Sequence, residues 1–470
     1  MFFVAAAVIL AAAFFLFYQK GAFLPESINW QEGRETFGDG EIRYGNREAT
    51  LFYEGGMVWH SAWNVNVQQC LVSDIDGDGQ DELLMLVWKR GSYGPKKPFW
   101  VEKNDNNLAQ HIFIYKWEPR KTNKLRAIWM SSAVSDSMES MYAGSRGEIY
   151  IQDTDGSTKA WYWENFGLKL LAEDCQSVSV IALGDQLLHL PVIRRGMETG
   201  DFTYMYREIL DEVGSYDISG LNQETVYVAD DKLISDYPRF GSPVGASDAV
   251  KEMGIDVVNL ANNHALDKDM YGVDCSIDIN SRHKIETVGV HSSKETADNP
   301  ESAVTFMTVN DIKIGMLGFT YGTNGNSMPD KQRYAVELLG DKERLIKALD
   351  YARAEADCVI VWAHWGTEYS SEIDDNQREY SKLFMEHGVD AVIGTHPHVL
   401  QPFEYIHGQN HNMLVYYSLG NLISNQTEKE CRTGGAATFN IVKYPNGNVR
   451  IANYKLKPLK TVGDKTVWDN

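Results

Sequence analysis

The sequence is short of cations for its size, with 44 Lys and Arg against 65 Asp and Glu in 470 residues and a formal net charge of −21. That balance excludes nucleic acid as a partner and makes an anionic lipid face a poor one, because both are bound through a basic surface. Metal cations or a cationic substrate suit it better. Cysteine is scarce and scattered: Cys70, Cys175, Cys275, Cys358 and Cys431 are odd in number and include no Cys-x-x-Cys, which excludes a disulfide scaffold and a zinc knuckle. Three enzyme signatures are also missing. There is no Gly-x-Ser-x-Gly elbow, no Gly-x-x-x-x-Gly-Lys-Ser/Thr phosphate loop and no His-Glu-x-x-His helix. What is there is a globular composition, 43% hydrophobic, 11% aromatic and 23% charged, with room for two to three domains at about 150 residues each.

One stretch has no charge at all. Met1 to Tyr18, MFFVAAAVILAAAFFLFY, reaches roughly 27 Å as a helix, close to the hydrocarbon thickness of a bilayer. Residues 1–20 are expected to form a transmembrane signal anchor. A cleaved signal peptide is the rival reading, but bulky Phe14, Phe15, Leu16, Phe17 and Tyr18 stand where a small-x-small cleavage site belongs. The expected location is the cell membrane, single-pass, with the bulk of the chain extracytoplasmic. Lys20 follows the run and no Lys or Arg precedes it, which runs against the positive-inside rule for that orientation.

Residues 25–175 read as a β-rich domain: LFYEGGMVWH, ELLMLVWK, HIFIYKWE, LRAIWMSS, EIYIQ and KAWYWENF are short, aromatic and β-branched, with turn residues between them. Within it, Asp74, Asp76, Asp78 and Glu82 place oxygens at positions one, three, five and nine of a glycine-containing loop, a spacing of hard ligands that suits Ca²⁺. Position twelve is Met85 and a strand follows, so this is no EF-hand. The stretch resembles the calcium loop of FG-GAP/VCBS-type repeats, and calcium abundant outside cells agrees with an external location.

From residue 177 to about 465 the texture changes to strands alternating with amphipathic helices, including VSVIAL, FTYMYREILDEVG, DVVNLA, YGVDCSIDINSRH, DKERLIKALDYARAEA, DCVIVWA, NQREYSKLFMEHG and DAVIG. Apolar strands between amphipathic helices imply an α/β domain with a buried sheet. Polar residues collect just past the strands. Asp185 follows the first, Asn262-Asn263-His264 follow DVVNLA, His364 ends VIVWAH, and Thr395-His396-Pro397-His398 follow DAVIG. Ligands of open α/β sheets bind beyond the carboxyl ends of strands, and Asp, Asn and His are ligands of Zn²⁺, Mn²⁺ or Fe²⁺. His396 and His398, two apart, would face one side in an extended chain. His189 is left as a ligand or a pocket-lining residue.

GIDVVNLANNHALD, MLGFTYGTNG, CVIVWAHWGTEY, GVDAVIGTHPHVLQPFEY and VYYSLGNLI, in this order between about Val178 and Lys457, resemble the successive signatures of the CapA (poly-γ-glutamate capsule synthesis) family of the calcineurin-like metallophosphoesterase superfamily. The resemblance does not cover residues 1–175. It implies a four-layer α/β/β/α sandwich with one or two divalent transition-metal ions (Mn, Zn or Fe) at the sheet edge of a bacterial envelope protein. Carried over, it implies metal ligands at Asp185, Glu224, Asn263, His364 and His396, with His398 a ligand or a near neighbour of the metal. His264 would face the substrate, oriented by Asp267, and Glu368 would be a pocket acid. One departure stands out: superfamily phosphoesterases begin Asp-x-His, and here Asp185 is followed by Gln186 and Leu187. The expectation is a membrane-anchored metal-dependent hydrolase acting on an anionic or peptide-like envelope polymer. The alternatives are a non-catalytic subunit working with the other components of a capsule synthesis and export complex, or a calcium-dependent adhesion or sensor protein.

Overall fold

The computed structural model describes Phe14 and residues 24–25, 27–91, 107–118, 124–131, 137–294, 297–409 and 411–469. The expected membrane segment, 1–20, lies outside the described residues except for Phe14. Among the described residues no helix is long and apolar enough to cross a membrane. The chain forms two units, Met1–Cys175 and Gln176–Asn470, and their boundary falls inside the strand Gly167–Gln186.

In the first unit every described element from residue 33 onward is a strand. One antiparallel meander runs through Gly33–Phe37, Gly40–Gly45, Glu48–Tyr53 and Gly56–His60, and a second through Asn66–Ser73, Glu82–Arg90, Leu108–Glu118 and Lys124–Met130. Strand Glu82–Arg90 shows why the sheets stack. Its Leu83, Met85 and Val87 join a cluster with Phe37, Leu51 and Phe113, while Leu84 and Leu86 join another with Ile112, Ile149 and Ile151. Alternate residues of a strand face opposite sides, so a strand apolar at every position must be covered on both.

Among the described residues the second unit contains two large sheets, a two-stranded pair Tyr227–Val228 with Ser242–Pro243, and two sets of helices. The first sheet aligns Glu286–Val288, Val257–Asn259, Ile218–Gln223 and the second half of Gly167–Gln186 in parallel, then continues through antiparallel Thr433–Lys443, Val449–Val462 and Lys465–Trp468. The other sheet sets Ile312–Thr320, Cys358–His364, Ala391–Thr395 and Asn412–Tyr416 in parallel, between antiparallel edges Thr305–Val309 and Phe403–His407.

Three cores define the layers. Val178, Val180 and Ala182 of the first sheet meet Ile314, Met316, Ile360, Trp362 and Ile393 of the second. Ile181 and Leu183 point the other way, to Val192 and Ile193 of helix Leu190–Thr199, Val250 of helix Ala246–Glu252 and Val273 of helix Asp269–Arg282. Val359, Val361 and Ala363 likewise face Leu345 and Leu349 of helix Lys342–Glu355 and Phe384 of helix Asp375–Glu386. The order is therefore helix, sheet, sheet, helix. Each large aliphatic side chain removed from water in these cores contributes about 2 kcal/mol.

In three places the structure departs from what local composition suggests. The segment FTYMYREILDEVG holds only a 3₁₀ turn, Thr203–Met205, and one helical turn, Leu210–Val213. Its Phe202, Tyr204, Met205, Tyr206, Ile209 and Val213 are all buried, too many for the single apolar stripe of a surface helix. The helix on this side is Leu190–Thr199, begun by Pro191 and ended by Gly200 at φ 68°. Strand Ile218–Gln223 carries a glycine and two amide side chains and lacks a strand-like composition, yet is buried throughout. LVYYSLGNLI is broken into Asn412–Tyr416 and Asn421–Ile423.

Candidate metal centre

Five strand ends, three from one sheet and two from the other, deliver the site. Asp185 sits at the end of Gly167–Gln186, beside Asn222 of Ile218–Gln223, and Glu224 follows immediately. Asn262, Asn263 and His264 lie beyond Val257–Asn259, His364 closes Cys358–His364, and His396 and His398 follow Ala391–Thr395. The place before Asp185 must be glycine. A Cβ on Gly184 would stand 2.0 Å from the Gly420 carbonyl oxygen, and Gly420 also accepts the Asp185 N–H at 2.9 Å.

Asp185 is fully buried and held on both oxygens. Oδ1 accepts from Asn222 Nδ2 at 2.8 Å, while Oδ2 accepts the His396 N–H at 3.2 Å and lies 3.1 Å from His398 Nδ1. Asn222 is itself held by Asn259 Nδ2 at 2.9 Å, and His398 Nδ1 also faces Asn421 Oδ1 at 3.0 Å. Neither Asn222 nor Asn421 has an assigned role in the sequence reading, although Asn421 stands inside the quoted VYYSLGNLI. The extended-chain argument for the two histidines does not hold, since His396 and His398 have φ of 101° and 60°. They meet through a bend, with ring centroids 6.0 Å apart.

Glu224 differs from Asp185. It is fully buried and neither carboxylate oxygen has a hydrogen-bond partner, although Oε1 lies 3.6 Å from His364 Nε2 and 3.8 Å from His398 Nε2. His364 Nε2 also faces Asn263 Oδ1 at 3.0 Å, its Nδ1 faces Thr395 Oγ1 at 2.9 Å, and His396 Nδ1 is buried without a partner. An unpaired buried charge is costly, so the groups shift towards neutrality. Burial, then the charges of Asp185 and Glu368, pushes the Glu224 carboxyl well above the carboxylate range. Burial and neighbouring imidazoles push His364 well below its ordinary value, and burial and His398 push His396 down to about 3.

Ligand atoms within 4.8 Å of one another form three overlapping groups: Glu224, His364 and His396; Asp185, Glu224 and His398; Glu368, His396 and His398. Orphaned carboxylate oxygens surrounded by neutral imidazole nitrogens and an amide oxygen fit a divalent transition metal, with Glu224 placed to serve two of the groups. Glu368 is exposed and lies at the rim. His264 and Asp267 form a pair beside these groups, with His264 Nδ1 2.7 Å from Asp267 Oδ2 and the ring edge-on to Phe240 at 4.8 Å. Tyr321 covers His396 at 4.5 Å. His189 belongs to none of the three ligand groups. Its Nδ1 is 2.8 Å from Asp236.

The acidic loop of the first unit brings Asp74, Asp76 and Asp78 together. Asp74 accepts the N–H groups of Gly77, Asp78 and Gly79 at 2.8, 3.2 and 2.9 Å. Lys116 Nζ lies 2.7 Å from Asp76, 2.6 Å from Asp78 and 3.0 Å from Glu82, so a lysine ammonium stands where these carboxylates converge.

The layers and the donor set define an α/β sandwich with a cluster of metal-ligating groups at one sheet edge. The chain belongs to the bacterial capsule synthesis protein PGA_cap family, whose model matches residues 179–426. It is 26% identical over 285 residues to the PGA biosynthesis protein CapA of Bacillus subtilis (strain 168), covering 60% of this chain and 72% of that one. It is 31% identical over 181 residues to the capsule biosynthesis protein CapA of Bacillus anthracis, covering 38% of this chain and 42% of that one. Among solved structures, Haemophilus influenzae NAD nucleotidase is similar at a TM-score of 0.35 and 10% identity over 63% of this chain and 54% of that one. The Thermus thermophilus sulfate thiohydrolase SoxB is similar at 0.30 and 14% over 53% and 39%. At such scores the likeness carries no argument about function.

Proposed function

We propose that this chain is a metal-dependent hydrolase of capsule or poly-γ-glutamate metabolism, held in the cell membrane by residues 1–20 with its bulk extracytoplasmic. Family membership and the names of the two Bacillus relatives support the polymer. The observation that carries the chemistry is Glu224, a buried carboxylate with both oxygens unpartnered among His364, His396 and His398. A divalent ion held there supplies Lewis-acid polarisation of the bond and activation of water. Asp185, fixed by Asn222 and the His396 N–H, and Asn263, beside His364, would hold the ion with these groups. His264, when doubly protonated, would deliver its Nε2 proton to the leaving atom and be left neutral, with Nδ1–H still held by Asp267. Glu368, exposed at the mouth, meets the incoming chain.

A second reading, a non-catalytic metal-supported subunit that holds polymer or other capsule synthesis subunits, is favoured by one observation. Position 187, where superfamily phosphoesterases carry histidine, is a buried leucine, and neighbouring Gln186 is bonded to Tyr206 at 2.8 Å. Calcium at Asp74, Asp76, Asp78 and Glu82 is part of the proposal only as a competitor of Lys116. The deciding experiment is metal content of the full chain measured together with cleavage of a γ-glutamyl polymer and of a simple phosphodiester. Bound metal with turnover supports the hydrolase. Bound metal with no turnover on either substrate rejects it in favour of the subunit.

A further inference from the structure

The mechanism leaves one histidine of the pocket without work. His189 caps the start of helix Leu190–Thr199, and its ring meets Phe240 edge-on at 5.2 Å, the same ring that meets His264 at 4.8 Å. Two histidine–aspartate pairs therefore flank Phe240, His264 with Asp267 and His189 with Asp236, at 2.7 and 2.8 Å. Asp236 is firmly placed, because it also accepts the N–H groups of Tyr237 at 2.9 Å and Leu190 at 3.2 Å. His189 is thereby placed beside the centre without joining its ligands: it shares Phe240 with His264, and its Nε2 lies 3.4 Å from Ser424 Oγ, three residues after the Asn421 that faces His398.

The carboxylate at Nδ1 decides what the other nitrogen can do. Nδ1 must carry the proton that Asp236 accepts, so in the neutral ring Nε2 is an acceptor. Burial keeps the ring on the neutral side despite the pull of Asp236. Nε2 faces Ser424 Oγ at 3.4 Å, the outer limit of a hydrogen bond and readily exchanged for a better donor.

We propose that His189 Nε2 accepts a hydrogen bond from an amide N–H of the polymer bound at the metal centre, so that this side chain selects an amide-linked chain. The inference rests on the hydrolase reading for the bound polymer and goes beyond it in naming the bond class: a phosphate diester offers no such donor.

The test uses full-length, metal-loaded protein and two probes, a γ-glutamyl-glutamate dipeptide and the same dipeptide methylated on its amide nitrogen. The wild type should bind the unmethylated probe about tenfold or more tightly, the scale of a buried acceptor left unpaired. His189→Ala should bind the two alike. Asp236→Ala keeps the imidazole but removes the acceptor that holds the proton on Nδ1, frees the ring to take the other tautomer, and should weaken the preference as well. His189→Gln, with an acceptor oxygen, should restore part of it. Metal content should be unchanged throughout. A preference that persists in His189→Ala overturns the inference, and so does loss of metal in His189→Ala. Metal-loaded wild type that ignores the dipeptide, or binds an oligosaccharide in its place, overturns it while the hydrolase reading stands. Wild type that takes up no metal removes the hydrolase reading, and this inference with it.

Discussion

Asp267 holds His264 from three residues away: its Oδ2 lies 2.7 Å from His264 Nδ1 and also accepts the Phe240 N–H at 2.7 Å. The imidazole is thus fixed through Nδ1, which leaves Nε2 as the nitrogen available for proton transfer. Asp267→Asn should lower kcat on the polymer by about 10²-fold and His264→Ala by up to about 10⁴-fold. Both should retain full metal content and a wild-type melting curve. Loss of metal in either would make the pair part of the metal's own support.

Glu224 makes metal uptake a proton-releasing event. With its pKa raised first by burial and then by Asp185, the metal-free carboxyl stays protonated above the ordinary range, whereas His364 and His396 are already neutral. Affinity should therefore rise about tenfold per pH unit up to the raised Glu224 value and level off above it. The same shift makes metal-free protein lose stability as pH climbs from about 4.3 towards that value, since the folded state binds the extra proton. Calorimetry in two buffers of different ionisation enthalpy should count about one proton released, and Glu224→Gln should abolish both release and tight binding.

Outside the ligand groups, Arg344 is bonded to buried Glu337 at 2.7 and 2.5 Å, and His291 reaches the same carboxylate at 2.7 Å. Burial alone would raise the Glu337 pKa, but Arg344 and His291 outweigh it and the net shift is downward. The resulting stability is present above the unfolded value of about 4.3 and is lost as pH falls through the depressed folded value. Arg344→Leu should cost about 3–5 kcal/mol in urea unfolding at neutral pH, because it strands a buried charge. Losing under 1 kcal/mol would show that His291 alone satisfies Glu337.

Gly184→Ala tests how tightly the first ligand is placed. With the Gly420 oxygen 2.0 Å from the new Cβ, the two backbones must separate and carry Asp185 with them. A stability loss of about 1–3 kcal/mol and reduced metal occupancy are expected, read by thermal melting and elemental analysis. Unchanged occupancy would show that the local backbone relaxes without moving Asp185.

In the first unit, a calcium ion taken up by Asp76 and Asp78 would compete with the Lys116 ammonium for their carboxylates. Lys116→Met should raise calcium affinity roughly tenfold or more by removing the competing charge. Calorimetric titration that finds equal affinity in both proteins would show that the ammonium leaves the loop at no cost.

The α/β class, the strand ends and most ligand-type residues were legible in the sequence, because buried strands and amphipathic helices leave periodic traces and polar residues directly after an apolar run are conspicuous. Asp185, Asn263, His264, His364, His396 and His398 stand out in this way, although the reason given for the two last histidines was mistaken: positive φ at both residues, and no extended strand, brings them together. Strand Ile218–Gln223 left little trace, since Gly220 packs under Trp362, Asn222 is held between Asp185 and Asn259, and Gln223 is bonded to Asn280, all contacts made by folding. The partners Asn222, Asn421 and Asp236 were equally hidden, for hydrogen bonds spanning 37, 23 and 47 residues leave no local pattern. The sequence by itself determined which residues could ligate and on which elements they ride, because those depend on side-chain chemistry and local periodicity. Only the tertiary structure decided which carboxylate is satisfied and which is left bare, Asp185 or Glu224, and that a lysine meets the acidic loop, because both depend on groups that folding alone brings within hydrogen-bond reach.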